Sequence, residues 1–334
     1  MRSAFRPIYG LLALSLLALA GSAIAQSPTE VRRDAVTKEK INSWTIGLAA
    51  GRIEGTPLRL AAELAQALDN EDAMRVLPIV SRGPFDNMYD LLFLRGVDMA
   101  IVYADNLDHF RTKERVPGLL DRVNYIARLF PAEVHLVVRP EINSLKDLVG
   151  KTINVNTAGT AAAYSGPIIF QRLGLNVRLT NNPHRDALQE IRKSDKYAGL
   201  LFVTTKPVPP LAAPNWPEGF KLLPIEMTPA LEEYYVPAYL EAAEYPKLIP
   251  AGQRVTTIAV PVVLAVYNWN VGKDRYRRMV RFVDYLFDRL PALQKEPNHP
   301  AWKQVNLAAT VPGWKRYPAV QSKLDALKGG APKR

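Results

Sequence analysis

The stretch KTINVNTAGTAAAYSGPIIFQRLGL, residues 151–175, decides the fold of this chain. Ile153 and Val155 alternate with polar residues as in a short strand, small and hydroxyl-bearing residues follow, and apolar residues at helical spacing then run to Gly174. The pattern predicts a strand, a loop of small residues and a helix. Open α/β sheets bind ligands beyond the carboxyl ends of their strands, where a helix start offers free N–H groups and a partial positive charge. We therefore expect a small anionic molecule to bind at this loop.

Pro167 leaves the start of this helix open between two alternatives. A proline inside a helix removes a backbone donor and clashes with the preceding turn, whereas the first helical position tolerates it. The helix either begins at Thr160 and kinks, or it begins at Gly166.

The segments before this stretch repeat the same pattern twice. Residues 44–49 form a predicted strand, followed by a glycine-bearing loop and a helix that opens at Thr56-Pro57. Residues 76–80 form the next strand, followed by the loop at residues 81–84 and a second helix. Residues 98–103 form a third strand, nearly all apolar, which is typical of a strand buried on both faces of a parallel sheet.

The segments on the other side continue the alternation of strands and helices. Two separate strands are predicted at residues 123–129 and 134–138, a capped helical turn at 144–148, and a strand at 199–203. Residues 255–267 form the longest β-branched run, and a strand of this length commonly belongs to two parts of a fold at once. The whole pattern predicts an α/β fold of two doubly wound lobes joined by a hinge, with a ligand cleft between the lobes.

Domain boundaries follow from these segments and from the composition of the two termini. The predicted parts are a signal peptide at 1–25, a flexible N-terminal arm at 26–40, a discontinuous lobe I at 41–139 plus 251–325, a lobe II at 140–250, and a flexible tail at 326–334.

The first 25 residues have the composition of a secretory signal peptide. Arg2 and Arg6 precede an apolar block, and Ala23-Ile24-Ala25 has the small-x-small form of a cleavage site. The apolar block is too short for a comfortable membrane span, and no later stretch approaches spanning length. We therefore expect the mature chain to be exported and not inserted in a membrane.

The net charge of +11 is dispersed along the 334 residues, with acidic residues among the basic ones. Nucleic-acid binders usually concentrate basic and aromatic residues on one face, so this distribution disfavours such a role. A basic exported protein instead favours anionic ligands. The absence of cysteine excludes disulfides, thiol catalysis, thiolate metal sites and a lipoprotein anchor.

Several motifs, in order along the chain, resemble the TAXI family (TRAP-transporter-associated extracellular immunogenic proteins). They are GVDMAIV at 96–102, VHLVVR at 134–139, SLKDLVGK at 144–151, INVNTAGT at 153–160 and IPAG at 249–252. The resemblance implies a periplasmic solute-binding protein of the type II fold, whose lobes close over a small organic anion and present it to a sodium-driven permease. Arg52 and Tyr103 depart from the usual residues of this family, which favours a different or bulkier anion.

The candidate ligand-binding residues lie at strand exits or loop ends, where their side chains or backbone N–H groups can reach an anion. They are Arg52, Thr56, Ser81, Arg82, Tyr103, Asn106, Thr157, Gly159, Thr160, Tyr164, Thr204 and Lys206.

Other classes of site have weaker support in the sequence. Gly150-Lys151-Thr152 lacks the glycine five places earlier that a phosphate-binding loop needs, and hydrolase and dehydrogenase motifs are missing. Asp105, Asp108 and His109 offer metal-ligand chemistry, but their spacing is also that of ordinary loop residues, so we expect no metal and no cofactor. His135 stands among apolar residues and is predicted to be a hydrogen-bonded structural histidine.

These observations favour an exported receptor that delivers a carboxylate or amino acid to a TRAP-type permease. One alternative is a sensor subunit that passes ligand occupancy to a membrane signalling partner. The other is an enzyme on a similar scaffold, with Lys206 or Asp105 as acid or base, but no coupled nucleophile and base supports it.

Overall fold

The structure is a computed structural model, and it describes residues 28–53, 55–70 and 73–329. The predicted signal peptide at 1–25 lies outside the described residues. So do the first two residues of the predicted arm and the last five of the predicted tail. Residues 28–43 and the described residues from 44 onward belong to two different compact units. No helix in the described ranges is both long and apolar enough to cross a membrane.

The segment predicted as a flexible arm is helical in the structure. Helix α1 runs from Pro28 to Ser43, and the side chains of residues 32–42 are exposed. The absence of an apolar stripe led us to expect no regular structure. The segment holds no glycine and is rich in lysine, glutamate and arginine, which are strong helix formers, so propensity outweighs the missing apolar face.

The strands of the second unit are β1 (Thr45–Gly51), β2 (Arg75–Val80), β3 (Met99–Tyr103), β4 (Val123–Val138), β5 (Thr152–Asn154), β6 (Arg178–Thr180), β7 (Gly199–Thr204), β8 (Lys221–Leu222), β9 (Val236–Glu241) and β10 (Arg254–Tyr267).

Its helices are α2 (Thr56–Leu68), α3 (Pro84–Phe93), α4 (Asn106–Thr112), α5 (Leu119–Arg122), α6 (Ala161–Arg172), α7 (His184–Glu190), α8 (Pro209–Ala212), α9 (Asp274–Leu293) and α10 (Pro318–Gly329), with short 3-10 helices at Leu145–Leu148 and Pro300–Gln304.

The sheet has two parallel parts joined by two long strands. Its order is β2-β1-β3-β10-β4-β7-β5-β6, with β8 beside β4 and β9 beside β10. We call β2-β1-β3 with helices α2 and α3 the first half, and β7-β5-β6 with helices α6 and α7 the second half. Strands within each half are parallel, whereas β4 and β10 are antiparallel to each other and to their neighbours. The protein therefore has the predicted α/β class, with two wound halves connected by crossing strands.

Strand β4 corrects the prediction of two separate strands. It runs without interruption for 16 residues, from Val123 to Val138, through Pro131. Pro131 lies directly opposite Pro261 of β10 in the antiparallel register. Neither proline has a backbone N–H, so neither can donate to the other's carbonyl, and the Pro261 carbonyl accepts instead from the Ala104 N–H at 2.9 Å. The second half of β4 then pairs with β7.

The start of helix α6 agrees with the first of the two alternatives. The helix begins at Ala161, after Thr160 as its N-cap, and the Thr160 side chain accepts a hydrogen bond from the backbone N–H of Ala163. Pro167 lies inside the helix on its exposed side, where water can hydrate the carbonyl that loses its partner. Gly166 faces the sheet, and an added Cβ there would lie 2.9 Å from Val155 Cγ1.

Two smaller predictions can be compared with the structure at the side-chain level. Ser144 and Asp147 form the predicted capping box of the 3-10 helix that follows β4. His135 is fully buried and pairs with the Glu133 carbonyl and with the Tyr245 hydroxyl at 2.8 Å, which confirms a structural histidine. The predicted tail begins within helix α10, which extends to Gly329, so residues 326–329 are helical.

Candidate functional site

A pocket of about 300 Å³ lies where the carboxyl ends of both halves meet. Gly51 at the end of β1 and Tyr103 at the end of β3 line it from the first half. Asn156, just after β5, and Thr204 at the end of β7 line it from the second half. Its volume is at the small end of the range for ligand pockets, roughly 300–1,000 Å³. The pocket therefore occupies the position where open α/β sheets bind ligands.

Three helices of eight residues or more begin at this pocket. Gly55 and Pro57 at the start of α2, and Gly83 and Pro84 at the start of α3, line it. The start of α6 contributes residues 159–162. Each helix start carries a partial positive charge of roughly half an elementary charge. Together the three starts make the pocket favourable for an anion.

Helix α6 has no proline in its first two positions, so it has one more backbone donor there than α2 or α3 has. Pro57 and Pro84 stand within the first two positions of α2 and α3 and have no N–H. Helix α6 instead begins with three alanines, and the first N–H groups of a helix have no intrahelical acceptor. The N–H of Ala163 is taken by the Thr160 hydroxyl, whereas Ala161 and Ala162 line the pocket.

The two halves are in direct backbone contact beside the pocket. Gly83 has a φ of +145°, and a Cβ built on it would lie 1.8 Å from the carbonyl oxygen of Gly159. A Cβ built on Gly159 would lie 2.9 Å from the carbonyl oxygen of Arg82. Glycine at both positions thus permits an approach of the β2–α3 and β5–α6 loops that no other residue allows.

Helix α6 makes further contacts with the first half. The Tyr164 ring lies 5.8 Å from that of Phe85, centroid to centroid. Arg172 donates to Asp108 of α4 at 2.7 Å and to Glu233 at 3.0 Å. The approach of the halves is therefore held by apolar and ionic contacts as well as by the two glycines.

Five of the predicted ligand-binding residues are brought together in the pocket. These are Arg52, Tyr103, Gly159, Thr160 and Thr204. Burial raises the pKa of the Tyr103 hydroxyl, so this side chain stays a neutral hydrogen-bonding group at neutral pH.

Four predicted residues flank the pocket without lining it. Thr56 lies between two lining residues of α2, and Ser81 bonds to Asn87. Arg82 is 85% exposed and pairs with Asp86 at 2.9 Å one turn later, so its guanidinium is turned to solvent. Thr157 donates its backbone N–H to the Asn156 side chain. Their contact with a ligand stays a prediction.

Three predicted residues lie outside the pocket lining and contact other parts of the chain, so their role in ligand binding stays a prediction. Asn106 is fully buried, where its side chain accepts from the Tyr103 N–H and donates to the Pro84 carbonyl, so it holds backbone together. Tyr164 packs against the aromatic ring of Phe85 and not into the pocket. Lys206 donates to the Tyr239 carbonyl at 2.7 Å and pairs with Glu244 at 3.1 Å.

The sequence did not reveal several residues that line the pocket. Asn156 has a left-handed φ of +67°, a conformation that asparagine tolerates, and its side chain accepts from the N–H groups of Thr157 and His184. Asn87 bonds to the Ile101 carbonyl at 2.6 Å. Phe202 lies within the apolar strand β7. His184 could have been predicted as a pocket residue, because it lies at the start of a helix that follows a strand.

His184 and Phe202 form one wall of the pocket, with ring centroids 3.8 Å apart. Burial lowers the pKa of His184 to about 4, while a hydrogen bond to the Leu201 backbone acts weakly in the opposite direction. His184 is therefore neutral at neutral pH and adds no positive charge to the site.

The candidate metal ligands of the sequence are engaged in other contacts. Asp105 accepts from Tyr235 at 3.1 Å, Asp108 pairs with Arg172, and His109 lies 3.2 Å from Glu114. Within the described ranges, no group of three or more histidine, cysteine, aspartate and glutamate side chains is arranged to hold a metal ion.

Comparison with solved structures finds distant likenesses. A protein from Xanthomonas citri bound to ATP has 12% identity and a TM-score of 0.49, covering 86% of this chain and 96% of that one. A putative periplasmic sulfonate-binding protein from Methylobacillus flagellatus has 13% identity, a TM-score of 0.43 and coverage of 84% and 76%. The arginine-bound form of ArgBP from T. maritima has 13% identity, a TM-score of 0.41 and coverage of 76% and 99%.

No curated protein matches the sequence. The model of one protein family does match, over residues 48–314, which span the strands from β1 to β10, helix α9 and the whole of the pocket. On the strength of this match, the chain belongs to the NMT1-like family.

Proposed function

We propose that this protein is an extracytoplasmic receptor that binds a small organic anion between its two halves. One observation carries the proposal. The start of α6, with its backbone donors, and residues of the first half line the same small pocket, and the loops beside it touch through Gly83 and Gly159. A ligand in such a pocket contacts both halves at once, so binding favours the arrangement in which the halves are closed.

The crossing strands provide a place for the halves to move. Strand β4 pairs with β10 up to Glu133 and with β7 from Glu133 onward, and β10 changes partner from β9 to β3 near Pro261. The two facing prolines supply no ladder donors at the crossover, which makes this level of the sheet the easiest to bend. Tyr103 and Thr204, which line the pocket, lie one or two residues from this level in the register. A small rotation there opens or closes the pocket.

The lining residues favour binding over catalysis. Among the described residues of the pocket there is no carboxylate and no serine, and the histidine has a lowered pKa that leaves it neutral. Acid–base or nucleophilic chemistry requires a nucleophile with a base in reach. A receptor needs only shape, donors and closure.

The proposed destination of the ligand is a membrane permease of the TRAP type, and the proposed location is the periplasm. Both rest on the predicted signal peptide and on the resemblance to TAXI proteins in the motifs VHLVVR, SLKDLVGK and INVNTAGT. Uptake of the identified ligand by proteoliposomes that contain a TRAP-type permease, measured with and without this protein, tests the partnership. Uptake that is independent of the protein refutes it.

The receptor function is tested by thermal unfolding of the purified mature chain against a panel of organic acids. A ligand that binds only the native state stabilises it by about 2.7 kcal/mol at one hundred times its Kd. We expect one or a few acids to raise the melting temperature, and mass spectrometry of the co-purified ligand to give the same class. A flat response to the whole panel, with turnover of one of its members, refutes the proposal.

The variant Ala161→Pro locates the anion. Proline is well tolerated at the first position of a helix, and Thr160 already has the extended ψ of 159° that a residue before proline prefers. The substitution therefore removes one pocket N–H while α6 remains intact. The matched control is Asp274→Pro at the first position of α9, after Lys273 with ψ 152°. We expect Ala161→Pro to weaken binding about tenfold and the control to leave it unchanged.

A further inference from the structure

Among the described residues that line the pocket, none carries a negative charge that would pair with an ammonium group. Among the described residues that line it, Arg52 is the one with a formal charge at neutral pH, and that charge is positive. Burial keeps His184 neutral by lowering its pKa to about 4. An amino acid brings an ammonium group as well as a carboxylate, and a charge taken out of water needs a partner of opposite sign.

The side-chain oxygens of Asn156, Asn87 and Thr160 already have partners, whereas the buried Nε2 of the neutral His184 has none among the described residues. The side-chain oxygen of Asn156 accepts from the N–H groups of Thr157 and His184 at 2.8 and 3.1 Å. The side-chain oxygen of Asn87 accepts from the Ser81 hydroxyl. The Thr160 hydroxyl donates to the Thr157 carbonyl and accepts from Ala163. These contacts position the loops, and breaking them to receive an ammonium group would release the start of α6.

The field in the pocket opposes a cation as well. The starts of α2, α3 and α6 all lie at its wall, and each contributes a partial positive charge. The rest of the wall includes the apolar side chains Ile101, Phe202 and Val203. A carboxylate fits the donors of α6, and an uncharged body fits the apolar wall.

We propose, on the basis of the function proposed above, that the ligand is a small carboxylate with an uncharged, largely apolar body and without an ammonium group, so that the receptor excludes amino acids. The described lining of the pocket selects against them because it holds no carboxylate and presents three helix starts. The discrimination lies in the second functional group of the ligand, since the carboxylate of both classes would reach the same N–H groups of Ala161 and Ala162.

Matched ligand pairs test the inference on the wild-type protein. The pairs are pyruvate and alanine, 4-methyl-2-oxopentanoate and leucine, phenylpyruvate and phenylalanine, and 2-oxoglutarate and glutamate. Titration calorimetry gives the Kd of each member. We expect at least one 2-oxo acid to bind, with its amino acid at least about 100-fold weaker, because an uncompensated charge would be buried. An amino acid that binds as tightly as its 2-oxo partner overturns the inference and leaves the receptor function standing.

The variant Glu54→Gln completes the experiment, because Glu54 lies outside the described residues and follows the lining residues Gly51 and Arg52. We expect the same preference for 2-oxo acids in this variant as in the wild type. An amino acid that binds the wild type and not Glu54→Gln overturns the inference, since Glu54 then supplies the missing carboxylate. If neither member of any pair binds, the proposed function fails and the inference with it.

Discussion

Gly83→Ala separates the closed arrangement from the binding contacts themselves. The new Cβ would stand 1.8 Å from the Gly159 carbonyl oxygen, whereas Cβ contacts below 3.0 Å essentially do not occur. The β2–α3 and β5–α6 loops must therefore part by at least about 1.2 Å. Gly83 has no side chain that a ligand could contact, so the substitution acts on the closure of the two halves. An overpacked contact of this kind costs about 1–3 kcal/mol, which predicts a Kd about 5- to 150-fold weaker.

The substitution also forces a non-glycine residue to adopt a φ of +145°, and this strain is present whether the halves are open or closed. Gly272→Ala is the matched control, since Gly272 has a φ of +87° and an added Cβ there meets nothing within 4 Å. We expect both variants to lose stability by about 1 kcal/mol in urea unfolding without ligand. Titration calorimetry with a ligand found in the acid panel then compares their Kd values. Equal affinities for the two variants would refute the role of the Gly83–Gly159 contact in closure.

Two further predictions concern the contacts around α6 and α4. We expect Arg172→Met to reduce ligand affinity about tenfold and to lower the free energy of unfolding by about 1–3 kcal/mol, because it leaves the largely buried Asp108 without its 2.7 Å partner. Arg111→Met, which removes a more exposed partner of Glu233, is the control. An equal effect of both variants in calorimetry contradicts the prediction. Burial raises the pKa of Asp105 to about 6, so the native state binds this proton more tightly than the unfolded state, and the stability of the wild type falls as pH rises towards 6. The free energy of unfolding of Asp105→Asn, measured in urea, should therefore rise relative to that of the wild type by about 3 kcal/mol between pH 4 and pH 7. A difference that stays constant over this pH range contradicts the prediction.

The alternation of strands and helices was predictable because it depends on local patterns. Strands β1, β3 and β7 are apolar runs bounded by glycine or polar loops, and helix α2 has its apolar face after Thr56-Pro57. Strand β4 was not predictable from its own residues, since a proline in an apolar run usually indicates a break. It stays continuous because residues on both sides of Pro131 pair with β10, which lies more than a hundred residues away in sequence.

The place of the pocket was predictable for the same reason, whereas its lining was predictable only in part. Parallel strands bring their carboxyl ends to one edge, so the loops after β1, β3, β5 and β7 had to meet once the fold class was known. Asn106 illustrates the limit. It follows β3 as a ligand-binding residue would, yet it begins the short helix α4, and its side chain bonds to the backbone of both neighbouring segments.

The charged residues show why position alone does not identify a ligand contact. Arg52, Arg82 and Lys206 all follow strand ends, but an oppositely charged side chain within reach decides where each one points. Arg82 has Asp86 four residues later on the helical face, a pairing that the sequence itself contains. Lys206 pairs with Glu244, which no local pattern connects to it. Arg52 is the member of this set that lines the pocket. A basic residue at a strand end is therefore unavailable to a ligand when an acidic side chain pairs with it. The sequence alone predicts such a pair only when the two residues are a few positions apart.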